Sequence, residues 1–187
     1  MKSFQERVLK DFDVKQEVQK NGHIKNVYVY VGKYASWGKE GEELSRYKRI
    51  HLWGGILMVI CLVWAAFQKI PMNAFNWTGA LTLLSFAALL AFGMGIIQFV
   101  CSKKRMYVRD CKIIRELVLW GGMIYFLLQL ADVIAGTVYL IRHESSVLSV
   151  MAVLAYALSA FLAFVIFMVQ KKLGYRELEA VCSREGK

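Results

Sequence analysis

The sequence predicts an all-α integral membrane protein with four transmembrane helices. The mean hydropathy is +0.41, 57% of the 187 residues are apolar or aromatic, and only 20% are charged. Soluble domains carry about 25% charged and about 45–50% apolar residues. The chain therefore has more apolar surface than a soluble core of this size needs, and that surface is concentrated in four long windows.

Each apolar window is long enough to cross a bilayer as a helix. The windows cover residues 51 to 67, 78 to 101, 117 to 141 and 147 to 169. A helix rises about 1.5 Å per residue and the hydrocarbon core is about 30 Å thick, so only the first window needs flanking residues. We expect a membrane domain over residues 50 to 175, preceded by a segment 1 to 49 and followed by a tail 176 to 187.

Lysine and arginine are distributed unequally among the connecting segments. Of 24 such residues, 22 lie in segments 1 to 49, 102 to 116 and 170 to 187. Lys69 and Arg142 are the other two. The positive-inside rule then predicts a multi-pass protein of the cell membrane with both termini in the cytoplasm. Five cations next to the windows are expected to contact anionic lipid: Lys103, Lys104, Arg105, Lys171 and Lys172.

The polar segments argue against several functional classes. The two outer loops are too short to fold as an ectodomain. Four cysteines without CxxC spacing and three scattered histidines predict no metal site and no cofactor. The cations are interspersed with acids, which argues against a nucleic-acid partner. With no nucleophile constellation and no phosphate-binding loop in the sequence, an enzyme is not predicted.

An internal repeat relates the two halves of the membrane domain. The motif LWGG at residues 52 to 55 recurs at residues 119 to 122, an offset of 67. KKRMY at residues 103 to 107 resembles KKLGY at residues 171 to 175, an offset of 68. The repeat predicts two helical hairpins of the same orientation.

Two rows of small residues also match at the offset of 68. They are Ala87, Ala91 and Gly95 in the second window, and Ala155, Ser159 and Ala163 in the fourth. Small residues four apart let helices approach closely in lipid, so both rows are predicted as helix contacts. Leu89 is expected to face lipid. The alternative is that alanine is simply common in membrane helices.

The segment before the first window contains a predicted helix, a predicted strand and a second short helix. Ser3 and Glu6 match a capping box, and an apolar helical face follows it up to a stop at Asn21. Valine and tyrosine then alternate at residues 27 to 31, as in a strand that needs a partner. Residues 40 to 49 indicate a short polar helix. The whole segment is either an interaction arm or a lead-in lying on the lipid headgroups.

Polar residues share one face of the third window. At 100° per residue, five residues fall within about 40° of one direction: Tyr125, Gln129, Asp132, Gly136 and Tyr139. Asp132 lies about 4.5 Å beyond the middle of the window, too deep for its carboxyl to reach the headgroups. A carboxyl at that depth faces protein or water and is a functional candidate. The alternative is a hydrogen-bonded Asp that serves packing alone.

Lys69 is the predicted partner of Asp132. In the repeat it corresponds to Gly136, about 6 Å further along the helix than Asp132, and a helical side chain leans back toward its own N-terminus. The competing expectation is that Lys69 points outward to lipid phosphate.

Two functions are compatible with these features. The first is a small accessory or assembly component that acts through helix packing and a basic cytoplasmic face. Its partners would be membrane lipids and either a second copy or a larger membrane complex. The second is a small transporter or channel in which Asp132, with Gln129 and the tyrosines, binds a cation or a proton. One carboxylate and no discontinuous helix favour the first.

Overall fold

A computed structural model describes residues 12–18, 24–30, 33–74, 76–143 and 146–178. Its helices are α1 (Gly41–Ala66), α2 (Pro71–Ala74), α3 (Asn76–Cys101), α4 (Val108–Arg142) and α5 (Val147–Leu173). Its strands are β1 (Phe12–Val18), β2 (Ile24–Tyr30), β3 (Tyr34–Trp37), β4 (Met106–Tyr107) and β5 (Tyr175–Leu178). The described chain is mostly helical, and α1, α3, α4 and α5 are long and apolar enough to cross a membrane.

The long helices contain the second, third and fourth predicted windows, and α1 contains the first window except Phe67, since it ends at Ala66. α1 begins at Gly41, so the short polar helix predicted at residues 40 to 49 is confirmed as its first turns. α4 has 35 residues and is therefore about 52 Å long. It begins at Val108, so most of the predicted loop 102 to 116 is helix, and Lys112 pairs with Glu116 one turn later at 3.9 Å.

The long helices form a bundle and alternate in direction, because short segments join consecutive helices. α4 packs against α3 and α5, and α1 closes the ring by packing mainly against α5 and less extensively against α3. The two helices of the predicted first hairpin, α1 and α3, thus contact each other less than α4 and α5 do. Five large side chains of the core are Met58, Leu62, Phe92, Tyr125 and Ile166.

A three-stranded antiparallel sheet closes one end of the bundle. β3 is the central strand, with β4 on one edge and β5 on the other. Ala35 and Trp37 alternate along β3, as side chains on one face of a strand do, and both are buried. The Trp37 ring packs edge-on against Phe99 at 4.9 Å between centroids, and its Nε1 donates to Ser102 Oγ at 2.9 Å. We call this end the sheet end and the opposite end the loop end.

Glycines allow the sheet to approach α5 closely. Gly174 has φ of 55° and ψ of −177°, a backbone conformation that is essentially restricted to glycine. The backbone N–H of Gly38 donates to the Gly174 carbonyl oxygen at 3.2 Å. A Cβ atom at Gly38 would collide with the Leu173 carbonyl oxygen, which is backbone and cannot turn away, so this contact requires glycine.

β1 and β2 form a separate antiparallel hairpin, in register from Phe12 opposite Tyr30 to Val18 opposite Ile24. The predicted strand at residues 27 to 31 is confirmed as far as Tyr30, and its partner is the preceding strand. The helix predicted to run from Ser3 toward Asn21 is wrong at residues 12–18, which are β1. There the alternating sequence and cross-strand pairing outweigh the helical pattern. The start of that helix lies outside the described residues.

The two rows of small residues lie in different environments. In α5, Ser159 and Ala163 are buried and Ala155 is half-buried. In α3 only Gly95 is buried, against Leu117 and Val118 of α4. Ala87 and Ala91 are exposed, so the prediction that they contact a helix is wrong within the single chain.

The inward face of α3 is instead formed by larger residues, and the small ones facing it belong to α4. Leu89 is only 7% exposed, so the expectation that it faces lipid is wrong. Phe92 packs beside it on the same face, and the Cα atoms of Gly121 and Gly122 on α4 leave room for its ring. Glycine therefore permits the close approach of α3 and α4 from both helices, through Gly95 of the predicted row on α3 and through Gly121 and Gly122 on α4.

The burial of Leu89 and the exposure of Ala91 predict opposite outcomes for two substitutions. Leu89→Ala should lower the free energy of unfolding of the monomer in detergent by roughly 2 kcal/mol, because it leaves a cavity between α3 and α4. Ala91→Leu should leave monomer stability nearly unchanged. Thermal unfolding of the two purified variants measures this difference, and greater damage from Ala91→Leu would contradict the packing described.

Candidate functional site

Seven buried polar side chains meet inside the bundle between α3, α4 and α5. Each is at most 9% exposed. We call them the polar cluster: Thr82, Ser85, Tyr125, Gln129, Asp132, Tyr156 and Ser159. Polar side chains in a bilayer must find their hydrogen-bond partners within the protein, so these residues stabilise one another by lying together. The same cluster of polar groups could also bind a ligand.

α4 supplies three members of the polar cluster from one face. Tyr125, Gln129 and Asp132 are separated by four and three residues, which places them on the same side of a helix. Gly136 continues this face, and a Cβ atom there would lie 2.7 Å from Val153 Cγ2 of α5. Tyr139 is half-buried and stacks on His143 at 4.4 Å near the loop end, outside the cluster.

The Asp132 carboxyl is held mainly by two hydroxyl groups of α3. Ser85 Oγ donates to Oδ2 at 2.9 Å, and Thr82 Oγ1 donates to Oδ1 at 3.3 Å. Gln129 Nε2 lies 3.5 Å from Oδ2, at the outer limit of a hydrogen bond. The carboxyl therefore links α4 to α3 through neutral donors.

α5 joins the polar cluster through two further hydroxyl pairs. Tyr125 Oη and Ser159 Oγ are 2.6 Å apart, and Tyr156 Oη lies 3.4 Å from Thr82 Oγ1. Ser159, predicted only as a packing residue, is thus also a hydrogen-bonding residue. Gln129 Oε1 is buried without a hydrogen-bond partner among the described residues, which leaves one oxygen of the cluster available.

Lys69 does not reach Asp132. It is exposed at the loop end, and among the described residues no lysine or arginine forms an ion pair with Asp132. The predicted Lys69–Asp132 pair is therefore wrong. The prediction assumes that the first transmembrane helix continues through Lys69, but α1 ends at Ala66. In addition, α1 packs mainly against α5 rather than against α4.

Three members of the cluster were not predicted: Thr82, Ser85 and Tyr156. A signal for two of them is present in the sequence, because Thr78, Thr82 and Ser85 recur at helical spacing on one face of an otherwise apolar window. Thr78 is also buried and donates to the Met72 carbonyl oxygen. Tyr156 has no comparable signal, since a lone tyrosine in an apolar helix can point either into the bundle or outward to the lipid.

A second buried polar pair lies near the sheet end. His51 of α1 is fully buried, with Nδ1 2.8 Å from the Tyr47 carbonyl oxygen and its ring 4.6 Å from that of Phe99. The Gln170 side chain of α5 lies beside the ring but outside hydrogen-bond geometry. This pair joins α1 to α5 and is separate from the polar cluster.

Exposed cations surround the sheet end. The five predicted lipid-contact residues, Lys103, Lys104, Arg105, Lys171 and Lys172, are all exposed there. A cavity of about 280 Å³ beside β3 is lined in part by Lys39, Lys104 and Arg105. Lys48 donates from α1 to the Ser102 carbonyl oxygen at 2.6 Å, so one further cation holds the connection between α3 and α4.

Comparison with known proteins adds no functional assignment. No protein-family model, curated protein or solved structure matches the chain. Within the described ranges, no three His, Cys, Asp or Glu side chains come together as a metal site, and Cys61, Cys101 and Cys111 are free thiols. The functional argument therefore depends on the polar cluster and on the two ends of the bundle.

The geometry predicts which residue is coupled energetically to Asp132. In a double-mutant cycle, Ser85→Ala and Asp132→Asn should be non-additive by about 1 kcal/mol, because they share a buried hydrogen bond. Lys69→Met and Asp132→Asn should be additive. Free energies of unfolding of the single and double variants provide the measurement, and coupling to Lys69 but not to Ser85 would contradict the site.

Proposed function

We propose that this protein is an accessory or assembly component of the cell membrane, oriented with its sheet end in the cytoplasm. The observation that carries the proposal is the convergence of three distant chain segments into one sheet at the cation-rich end. β3 precedes α1, β4 connects α3 to α4, and β5 follows α5. Short polar loops would suffice to connect the helices, so a folded surface at this end points to contacts with other molecules.

The charge distribution supports the orientation. The sheet end carries the cations that flank the helices, whereas Lys69 and Arg142 lie at the loop end. Short cation-rich segments are retained on the cytoplasmic side. β3, which precedes α1, and β5, which follows α5, both belong to the sheet end, so the same argument predicts that the segments before α1 and after α5 are cytoplasmic.

The exposed cations support contact with anionic lipid. Lys103, Lys104 and Arg105 begin two residues after the end of α3, and Lys171 and Lys172 lie in the last turn of α5, so in a membrane both groups would lie where the headgroups begin. Each such cation near an anionic surface contributes roughly 1 kcal/mol of attraction. The sheet would therefore be held against the membrane surface.

The outer face of α3 supports helix packing between chains. Ala87 and Ala91 are exposed there, although small residues four apart are typical of helix contacts in membranes. A second copy of the chain, or a helix of a larger complex, could approach α3 closely at these positions. The single chain leaves this face uncovered.

The sheet also supports the proposed internal repeat. Residues 106 to 107 and 174 to 175 correspond at the offset of 68, and the segments containing Tyr107 and Tyr175 pair with opposite edges of β3. Two related hairpins that share one central strand would produce this arrangement. The polar cluster belongs to no such repeat, because Met58 and Leu62, which correspond to Tyr125 and Gln129, are apolar.

The orientation predicts the accessibility of introduced thiols. In a background with the native cysteines replaced, Lys104→Cys should be protected from a membrane-impermeant thiol reagent in intact cells, and Lys69→Cys should react. After permeabilisation both should react, because both positions are exposed. Reaction at Lys104→Cys in intact cells would contradict the cytoplasmic placement of the sheet end.

The assembly role predicts a stoichiometric complex. After extraction in mild detergent, intact-mass measurement should show the chain bound to further copies or to a larger membrane protein. Replacing Lys103 and Lys104 by Gln should reduce this complex, whereas Lys69→Gln with Arg142→Gln, a matched loss of two charges at the loop end, should not. A monomer throughout, with no co-purifying protein, would contradict the proposal.

A further inference from the structure

We propose that the polar cluster is a binding site for one sodium ion, which exchanges with a proton on Asp132. The ligands would be a carboxylate oxygen of Asp132, the hydroxyl oxygens of Ser85 and Thr82, and Gln129 Oε1. This site goes beyond the proposed assembly role and does not depend on it.

One pair of the ligand oxygens already has the spacing of adjacent corners in a coordination shell. Oxygen ligands of a cation the size of Na⁺ or Ca²⁺ lie about 2.3–2.6 Å from it, so adjacent corners of an octahedral shell are about 3.3–3.7 Å apart. Thr82 Oγ1 lies 3.3 Å from Asp132 Oδ1, within this range. Ser85 Oγ, at 2.9 Å from Oδ2, would need to move by a few tenths of an ångström.

The number of carboxylates favours a monovalent ion. Asp132 is the only acidic residue in the apolar window of α4, and it is almost fully buried. A sodium ion on an ionised Asp132 leaves the site neutral, whereas a divalent ion would leave an uncompensated positive charge in the bundle, which is costly. Hydroxyl, amide and carboxylate oxygens are hard ligands that suit such a cation.

Gln129 supplies the observation that points to a ligand. Its side chain is fully buried, and Oε1 has no hydrogen-bond partner in the described part of the chain. Burying an acceptor without a partner is unfavourable. Turning the Gln129 amide by 180° exchanges Oε1 with Nε2, which now lies 3.5 Å from Asp132 Oδ2. In that position Oε1 can bind a cation held by the carboxylate or accept the proton of Asp132.

The exchange is balanced in charge and atoms. The protonated carboxylic acid releases one proton to the solution as the sodium ion binds, and the carboxylate takes the ion's charge. No other group in the cluster is required to change state. The neighbouring titratable side chains are Tyr125 and Tyr156, with Cys61 of α1 next to Tyr125, and α3 contributes only neutral hydroxyls.

Thermal unfolding in detergent tests the site with sodium chloride as the probe. In mildly alkaline buffer, a tenfold increase in sodium above the dissociation constant should raise the Tm by roughly 3–6 °C, with choline chloride used to keep the ionic strength constant. In mildly acidic buffer the shift should shrink, because the proton competes. Adding sodium to weakly buffered protein should also release up to one proton per chain.

Three variants separate ion binding from folding. Asp132→Asn resembles the protonated acid, so it should fold but lose both the sodium-dependent Tm shift and the proton release. Thr82→Val removes one ligand and should weaken sodium binding at least tenfold. Thr137→Val is the matched control, because its hydroxyl is exposed and donates to the Val133 carbonyl oxygen of its own helix at 2.7 Å.

Two results would each contradict the sodium site. The first is equal Tm values in sodium and choline together with no proton release at any pH tested. The second is equal sodium affinity in Thr82→Val and Thr137→Val. The second comparison decides the question even if Asp132→Asn fails to fold. Loss of the assembly described above would not affect either measurement, so the two proposals fail independently.

Discussion

The hydrogen bonds from Ser85 and Thr82 to the Asp132 carboxyl constrain the rest of the bundle. Lipid offers no donor to a buried carboxyl, so α3 must present its hydroxyls to α4. Turning α3 by one residue, about 100°, would replace Ser85 with Leu84 or Phe86 and leave Asp132 without its closest donor. The rotation of α3 about its axis is thereby fixed. Its outward face, with Ala87 and Ala91, is a consequence of this inward pairing.

At the sheet end the same requirement is met by backbone rather than by side chains. The segments that leave the helices there carry N–H and C=O groups close to the membrane, and pairing β3 with β4 and β5 satisfies many of them. Trp37 attaches the sheet to the bundle because its ring packs edge-on against Phe99 and its indole N–H donates to Ser102 Oγ. Polar contacts therefore stabilise the bundle in two places, the polar cluster and the sheet end, and apolar side chains pack between them.

Features that repeat along the chain could be predicted from the sequence, whereas contacts between helices could not. Hydropathy located the four long helices, and helical periodicity placed Tyr125, Gln129 and Asp132 on one face. Periodicity does not say which helix lies opposite, so Ser85 was missed and Lys69 was chosen instead. The spacing of small residues does not say which of two helices supplies the small side of a contact, so Ala87 and Ala91 are wrongly assigned to a contact in which Gly121 and Gly122 of α4 make room for Phe92. The sheet was missed because its strands are short and far apart in sequence.

The distance in sequence between the strands of the sheet determines when the sheet can form during synthesis. The central strand β3 is made before α1, but its two neighbours follow later, and Ala35 pairs with Glu177 near the far end of the described chain. Contacts so distant in sequence form late, because the intervening chain must first be brought together. The edge of β3 that pairs with β5 therefore stays unpaired while α4 and α5 enter the bilayer. The sheet can form fully only after α5 has been translated and placed.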